Sequence, residues 1–198
     1  MVLYWSYSFR LLSGIGLLPA TAIPGLAQTP SPRDVVERFC KLDAQGEQLS
    51  PAGWNKLAAL FVNPGARRID GVMVIRDCVV GRPHPEEGRV VFGVACTPLG
   101  EIDSAEARFS PIPPEVKVKG GFSVIKQPGR GSAESSRPNE ELAEWRIEGP
   151  MPGPRLSVDA AIRYVAELRR NASNDTIGKN AEKALASLKR YRKTKRPE

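Results

Sequence analysis

The sequence predicts an α+β protein with two N-terminal helices, a curved antiparallel sheet and a C-terminal helical hairpin. Apolar and polar residues alternate at residues 116–124 and again at residues 143–148, as half-buried strands require. Amphipathic helical patterns precede these strands at residues 31–63 and follow them after residue 157. The chain has 198 residues, 41% of them hydrophobic, which suffices for one domain with its own core.

The first 27 residues have the pattern of a secretory signal peptide. Arg10 is their only charge, an apolar run at residues 11–18 follows it, and small residues precede Ala27. The run is far shorter than the roughly 20 apolar residues of a membrane-spanning helix. We therefore expect a secreted or periplasmic protein, cleaved after Ala27 or alternatively after Ala22, with no transmembrane segment left after cleavage.

The positive charge of the chain is concentrated at its C-terminus. The formal net charge is +7, and residues 187–198 contribute six Lys and Arg residues against the single Glu198. The rest of the mature chain is nearly neutral, so we expect no nucleic-acid partner. Cations are favourable near the C-terminal end of a helix. Contact of this basic tail with anionic envelope polymers or lipid is the alternative interpretation.

The three cysteines are an odd number for an oxidising compartment. Cys78 and Cys96 lie in consecutive predicted strands and are the favoured disulfide pair. Three buried free thiols, acting as small apolar side chains, are an equally acceptable interpretation. The cysteine spacing does not resemble a metal site, and we predict neither a metal nor a cofactor.

The predicted domain begins with two helices. Ser31-Pro32 is a start signal, Asp34 is placed to complete a capping box, and Gly46 ends the first helix. The Ser-Pro signal recurs at residues 50–51, and the second helix is expected to run to the Asn-Pro-Gly stop at residues 63–65. Both apolar stripes need a surface to cover, and the sheet is the only candidate of sufficient size.

The sheet is expected to contain about five strands. Residues 71–80 are apolar at both odd and even positions, which favours a strand covered on both faces. Residues 81–89 should form the turn to a second strand at residues 90–96, and a weaker third strand is predicted at residues 105–109.

A long hairpin at residues 116–148 provides the last two predicted strands. Its strands are joined by a connection rich in Gly, Pro and Ser, which is typical of a loop between antiparallel strands. Gly120-Gly121 interrupts the first of these strands. We interpret the pair as a bulge or a bend that curves the sheet.

Residues 150–198 are predicted as a C-terminal helical extension. The Pro- and Gly-rich residues 149–155 are typical of a turn, and Ser157 caps the helix that follows. A break at residues 171–175 separates that helix from a last amphipathic helix, so the two form a helical hairpin. The predicted organisation is a signal peptide (1–27), an α+β domain (31–149) and the extension (150–198).

Two stretches resemble a known superfamily. VVERFCKLDAQG followed by GWNKLAALFVNPGA is similar to the helix, turn and helix that open SnoaL-like, nuclear transport factor 2-like domains. The residues Glu144-Trp145-Arg146-Ile147 are similar to the Trp-Arg-Ile that commonly closes the last strand of such domains. The resemblance covers residues 31–148 and implies a cone, in which a curved antiparallel sheet surrounds a pocket and helices close one side.

This chain departs from that superfamily pattern at two places. No third helix is predicted before the late strands, and two helices are added after the last strand. The added helices could cover the pocket mouth or a dimer interface, so a homodimer is one of the assemblies that we consider.

Residue types needed for the catalytic mechanisms of that superfamily are missing here. Members that isomerise steroids pair an Asp base with a Tyr that stabilises an oxyanion, and the predicted sheet has no tyrosine. Dehydratase-like members use an inward histidine, whereas His84, the only histidine, lies between two prolines in a predicted turn. We leave enzymatic activity open and favour a non-catalytic module, with Asp77 and Asp103 as weak candidates for a catalytic base.

The candidate pocket residues are one strand arginine and several aromatic side chains. Arg76 and Asp77 are charges inside an apolar strand, where a charge should be paired or functional. They point to opposite faces, so at most one of them faces a pocket, and an ion pair to a neighbouring element is the plainer interpretation. Aromatic residues at these spacings are also typical of an ordinary core. The candidates for a pocket lining are Trp54, Phe61, Arg76, Phe92, Phe122 and Trp145.

Three functions are compatible with the sequence. The leading hypothesis is an exported, non-catalytic module that binds a small apolar ligand or another envelope protein. The second is a SnoaL-like isomerase or hydrolase with an Asp base. The third is an envelope-associated structural protein that uses its basic tail.

Overall fold

A computed structural model describes residues 30–67, 69, 71–127 and 144–194. The predicted signal peptide, most of the connection inside the long hairpin and the last four residues of the basic tail lie outside the described residues. The helices are α1 (Pro32–Gln45), α2 (Pro51–Ala58), α3 (Val158–Arg170) and α4 (Asp175–Thr194), with a 3-10 turn at Glu47–Leu49. The strands are β1 (Gly71–Glu86), β2 (Arg89–Asp103), β3 (Arg108–Pro111), β4 (Val118–Gln127), β5 (Glu144–Ile147) and β6 (Arg155–Ser157).

The strands form one sheet that curls into a half-barrel. Its order is β5-β4-β2-β1-β6, and β3 pairs with β2 outside this path. The pairs are antiparallel except β1 with β6, which run parallel. The predicted α+β class, with a curved sheet, N-terminal helices and a C-terminal helical pair, is confirmed. The short strand β6 was not predicted, and it makes the sheet mixed.

The N-terminal helix begins and ends where the sequence predicts. The Ser31 hydroxyl accepts a hydrogen bond from the Asp34 N–H, and the Asp34 carboxylate accepts one from the Ser31 N–H at 2.8 Å. Gly46 ends the helix with φ of 92°, a left-handed conformation in which the missing Cβ removes a steric penalty.

Helix α2 ends earlier than the sequence predicts. It stops at Ala58, because the next residues bond to β5 instead of continuing the helix. Val62 donates to the Ile147 carbonyl at 2.9 Å, and the Ile147 N–H donates to the Leu60 carbonyl at 2.8 Å. The expected stop at residues 63–65 is therefore wrong, since a tertiary contact ends the helix before the local signal.

Strands β1 and β2 form a longer hairpin than predicted. They continue to Glu86 and Arg89, and the turn is only Glu87-Gly88, with φ of 73° at Gly88. The broad turn expected at residues 81–89 is wrong, and His84 lies inside β1, opposite Val91. β6 pairs only with residues 73–75 of β1. The rest of β1, up to Glu86, is therefore an edge strand of the sheet. A proline in an edge strand can lie where its missing N–H removes no hydrogen bond of the sheet.

Two further expectations about the strands are corrected. The pairing of β2 with β4 runs in continuous register through Gly120 and Gly121, so no bulge lies there. The register shifts lie instead in the pairing of β1 with β2, at Val74/Ile75, Ile75/Asp77 and Val80/Pro83. Arg76 is the extra residue at the second of these shifts. Residues 72, 74 and 75 are buried but residues 76 and 77 are exposed, so β1 is covered on both faces only in its first part.

The sheet is covered by two separate groups of apolar residues. Phe39 of α1 and Phe61, which follows α2, pack on one face of the sheet in a core with Phe92 and Phe122. We call this face the inner face. The C-terminal helical pair packs elsewhere on β1 and β2, and it encloses a second core. The buried members of that second core include Val72, Val74, Leu99, Ile102, Leu156, Val165, Ala181 and Leu188.

Candidate ligand-binding site

The structure brings Phe61, Phe92, Phe122 and Trp145 into one core cluster, but it does not place the predicted pocket residues around one cavity. Phe61 and Phe92 are buried in the core at 2% and 1% exposure, so their side chains fill space. Trp54 is half-buried on α2, and Arg76 is exposed on β1. Trp145 lines a groove beside the start of α1, whereas Phe122 lines a different pocket on the inner face.

The two candidate catalytic bases lie outside both of these depressions. Asp77 is exposed on β1. Asp103 closes the turn before β3, because its Oδ1 accepts hydrogen bonds from the N–H groups of Ala105 and Glu106 at 2.9 and 3.0 Å. This turn also moves the third strand to Arg108–Pro111, later than predicted.

Cys78 and Cys96 are joined by a disulfide between β1 and β2, where they lie directly opposite each other. Cys40 is a free, half-buried thiol. Burial raises the pKa of Cys40, and the nearby Arg155 only partly opposes this effect. A thiol with a raised pKa is a poor nucleophile at neutral pH.

A pocket of about 480 Å³ lies on the inner face, between the sheet and residues 148–155. Val118, Gly120 and Phe122 lie at alternate positions of β4 and therefore on one face of the sheet. Val94 of β2 lies directly opposite Gly120. The volume is within the range of about 300–1,000 Å³ that is typical of small-molecule sites.

The pocket includes the open space beside Gly120, a residue without a side chain. A Cβ built on Gly120 would have no heavy atom within 4 Å, although its neighbours Val118 and Phe122 both contribute side chains to the lining. The opposite wall is the Pro-rich segment before β6, and two backbone hydrogen bonds help to hold it in place. Met151 donates to the Pro64 carbonyl, and the Pro154 carbonyl accepts from Met73, each at 3.0 Å.

Arg155 is a partly buried cation among the residues that line this pocket. It opens β6, and its neighbour Leu156 is fully buried, so the strand position is fixed by packing. The Arg155 Nε donates to Asp43 Oδ2 at 3.0 Å, and its backbone N–H donates to Asp43 Oδ1 at 3.1 Å. Gln48 Nε2 also donates to Asp43 Oδ1, at 2.8 Å, and to the Pro152 carbonyl at 3.2 Å.

The other edge of the Arg155 guanidinium is less well satisfied. Its Nη1 donates to the Cys96 sulfur at 3.7 Å, and its Nη2 is buried with no hydrogen-bond partner among the described residues. The Arg155 Cζ lies 5.5 Å from the ring centroid of Phe39 and 5.9 Å from that of Phe122, so both rings stabilise the cation.

Burial dominates the electrostatics of Asp43. Its side chain is 1% exposed, and desolvation raises the pKa of Asp43 to about 6, against the opposing charge and hydrogen bonds of Arg155. At neutral pH the carboxylate is therefore ionised and compensates the guanidinium. The pair is neutral as a unit.

Sequence reasoning missed both members of this pair. Asp43 lies on the buried side of α1, at helical spacing from Val36 and Phe39, and a charge in such a stripe needs a partner. That signal was available in the sequence. Arg155 had no comparable signal, because residues 149–155 have the composition of a turn.

The described residues contain no cluster of three or more His, Cys, Asp or Glu side chains suited to a metal ion. Within the same part of the chain, every helix lacks either the length or the hydropathy needed to cross a lipid bilayer. Comparisons with protein-family models, with curated proteins and with solved structures give no match. The function is therefore inferred from the geometry of the pocket and its buried arginine.

Proposed function

We propose that this protein is an exported module that binds a small, largely apolar ligand in the inner-face pocket beside Gly120. The observation that carries this proposal is the gap at Gly120. An apolar sheet face that is otherwise covered by α1 is left open at this position, with Val94, Val118 and Phe122 around the gap. Concave apolar surfaces with a few polar groups are the usual form of small-ligand sites.

The lining favours binding over catalysis. Among the described residues, the side chains that line the pocket include no histidine, tyrosine, serine or cysteine. Its carboxylates are Glu101 and Glu148, and both residues are exposed. Both carboxylates are hydrated and lack the partly dehydrated surroundings that are typical of a catalytic acid or base, so neither is well suited to general acid or base catalysis.

The disulfide supports the exported location in this proposal. Cross-strand disulfides such as Cys78–Cys96 persist in oxidising compartments and are rare in reducing ones. The signal-peptide pattern of residues 1–27 favours the same location. The SnoaL-like resemblance of residues 31–148 is compatible with a pocket enclosed by a curved sheet and helices.

A fluorescent probe tests the proposal. N-phenyl-1-naphthylamine is uncharged and apolar, and its emission rises when it enters an apolar site. We expect saturable binding to the protein and at least a tenfold weaker affinity for the variant Gly120→Val. A valine Cβ at this position meets open space in the pocket, so the variant fills the site without displacing a neighbour.

Gly93→Val is the matched control. Gly93 also lies in mid-strand, and a Cβ there meets no heavy atom within 4 Å. It lies between the buried residues Phe92 and Val94, so its side chain would point to the opposite face of β2. We expect this variant to bind like the wild type. Absence of saturable binding, or equal affinity of Gly120→Val and the wild type, would overturn the proposal.

A further inference from the structure

The C-terminal helical pair carries most of the excess positive charge of the described residues. Residues 158–194 contain nine Lys and Arg residues against four Asp and Glu residues. The remaining described residues are nearly balanced, with fourteen basic residues against thirteen acidic ones. A local excess of one sign of charge attracts partners of the opposite sign to that part of the surface.

Six exposed cations of the helical pair make no ion pair with a carboxylate of the described residues. We call them the basic face, and they are Arg163, Arg170, Lys183, Lys189, Arg190 and Lys193. The Arg163 guanidinium donates a hydrogen bond to the Gln45 carbonyl, which is neutral and leaves the charge uncompensated. The positive charges of the basic face are therefore available to a partner.

The acidic residues of the two helices do little to neutralise the basic face. Three of them are already paired with other cations, at distances of 2.6 to 3.0 Å, in the ion pairs Arg169–Glu182, Lys179–Asp175 and Arg192–Asp159. The fourth, Glu167, lines a shallow groove between α3 and α4 together with Arg163 and Arg170. Six cations thus face a single carboxylate that has no ion pair of its own among the described residues.

The cations of α4 lie on the side of the helix that faces away from the core. Lys183, Arg190 and Lys193 are spaced by seven and three residues, which places them on one side of an α-helix. The buried residues on the opposite side are Ala181, Ala184 and Leu188. Between Lys183 and Lys193 the helix rises by about 15 Å, so this row of charges is extended.

The cations of α3 point in the same general direction. Arg163 and Arg170 are seven residues apart, opposite Ala161 and Val165, which belong to the same core as the buried side of α4. Because both helices bury one side in this core, their other sides face away from it together. The groove between the helices, which Leu185 also lines, lies between the two rows of cations. The basic face is therefore two rows wide.

We propose that the basic face binds the surface of an anionic lipid bilayer without inserting into it. Two adjacent rows of cations match a plane of negative head groups better than they match one linear polyanion. The apolar sides of both helices are occupied by the core, so neither is free to enter the hydrocarbon region. Clusters of about four to eight Lys and Arg residues on a helix are typical of binding to anionic lipids.

Sedimentation with lipid vesicles tests this proposal. One set of vesicles contains phosphatidylcholine alone, and the other contains about one third phosphatidylglycerol, which is anionic. At about 50 mM salt we expect at least tenfold stronger binding to the anionic vesicles. Most of this binding should be lost at about 500 mM salt, because salt screens the attraction between exposed charges.

The triple variant Lys183→Gln/Arg190→Gln/Lys193→Gln removes half of the basic face. All three positions are exposed on α4, and glutamine has nearly the same helix propensity as lysine and arginine, so the fold should be retained. We expect the affinity for anionic vesicles to fall at least tenfold, since each cation near the surface contributes to the attraction.

The matched control is Arg38→Gln/Arg82→Gln/Lys126→Gln. It removes the same net charge at three exposed positions on α1, β1 and β4, outside the helical pair. We expect this variant to bind anionic vesicles within about twofold of the wild type, because its basic face is intact.

Three results would overturn the proposal. The first is equal binding of the wild type to neutral and anionic vesicles, and the second is an equal loss of binding in both triple variants. The third is binding to dextran sulfate without binding to anionic vesicles, which would assign the basic face to a soluble polyanion. None of these results affects the proposed ligand pocket, which the Gly120→Val comparison tests separately.

Discussion

The ion pair between Asp43 and Arg155 joins positions 112 residues apart in the chain. One partner ends the buried face of α1 and the other opens β6. Removing either partner alone would leave a buried charge without compensation, which typically costs about 3–5 kcal/mol. The pair therefore specifies how the N-terminal helix meets the last strand, and it also orients the guanidinium in the pocket.

Asp43 makes folding stability depend on pH. Its pKa is about 6 in the folded protein and 3.8 is its ordinary value, so between these values the folded state holds a proton that the unfolded chain has lost. The contribution of Asp43 is thus fully present below about pH 4 and is lost as the pH rises through 6. A difference of about two pKa units corresponds to roughly 3 kcal/mol.

Urea unfolding from pH 4 to pH 7 measures this dependence. We expect the free energy of unfolding of the wild type, relative to that of Asp43→Asn, to fall over this range, because the asparagine does not titrate. A difference between the two proteins that stays constant with pH would show that Asp43 does not titrate in this way.

At the scale of secondary-structure elements, the disulfide joins β1 to β2 beyond the residues of β1 that pair with β6. It closes a loop with a sequence separation of 18 residues. Beyond Cys78, β1 is mostly exposed, whereas β2 still buries Phe92 and Val94. By closing this loop, the disulfide should contribute to stability chiefly by restricting the unfolded chain.

Loss of the disulfide should destabilise the protein by about 3 kcal/mol, the value expected for a loop of this length. Urea unfolding of the double variant Cys78→Ala/Cys96→Ala, compared with the wild type, measures this effect. Cys40→Ala is the control, because Cys40 is half-buried and outside the disulfide. A double variant with the unfolding midpoint of the wild type would contradict the expectation.

Local signals in the sequence predicted those elements whose ends are fixed locally. Ser31 caps α1 and Ser157 caps α3, and each accepts the N–H of the residue three positions on. Elements fixed by distant partners were missed or misplaced. α2 ends where Ile147 takes over its hydrogen bonds, and the three-residue strand β6 is held by its pairing with residues 73–75.

The same distinction between local signals and distant partners explains which residues of the site the sequence did not predict. Phe122 was a candidate pocket residue because its strand pattern is visible in the sequence, and it lines the pocket. The space beside it depends on Gly120 lying opposite Val94, which the sequence does not reveal without the register of β2 and β4. Arg155 depends on a contact made across most of the chain.

At the scale of the whole molecule, different helices cover the two cores of the half-barrel. α1 and α2 contribute to the core on the inner face, and α3 and α4 contribute to the other core. α3 and α4 share a core with β1 and β2, so the described residues 150–194 are part of the packed body. β6 leads directly into α3, which is capped by Ser157. The C-terminal helical pair thereby holds β6, and with it Arg155, at the pocket.

A high-resolution crystal structure of the protein with N-phenyl-1-naphthylamine tests the proposed ligand site most directly. We predict that the probe lies in the inner-face pocket, with its rings along Gly120, Val94 and Phe122. A pocket filled by the protein's own side chains, or a probe bound only at another surface, would contradict the proposed function.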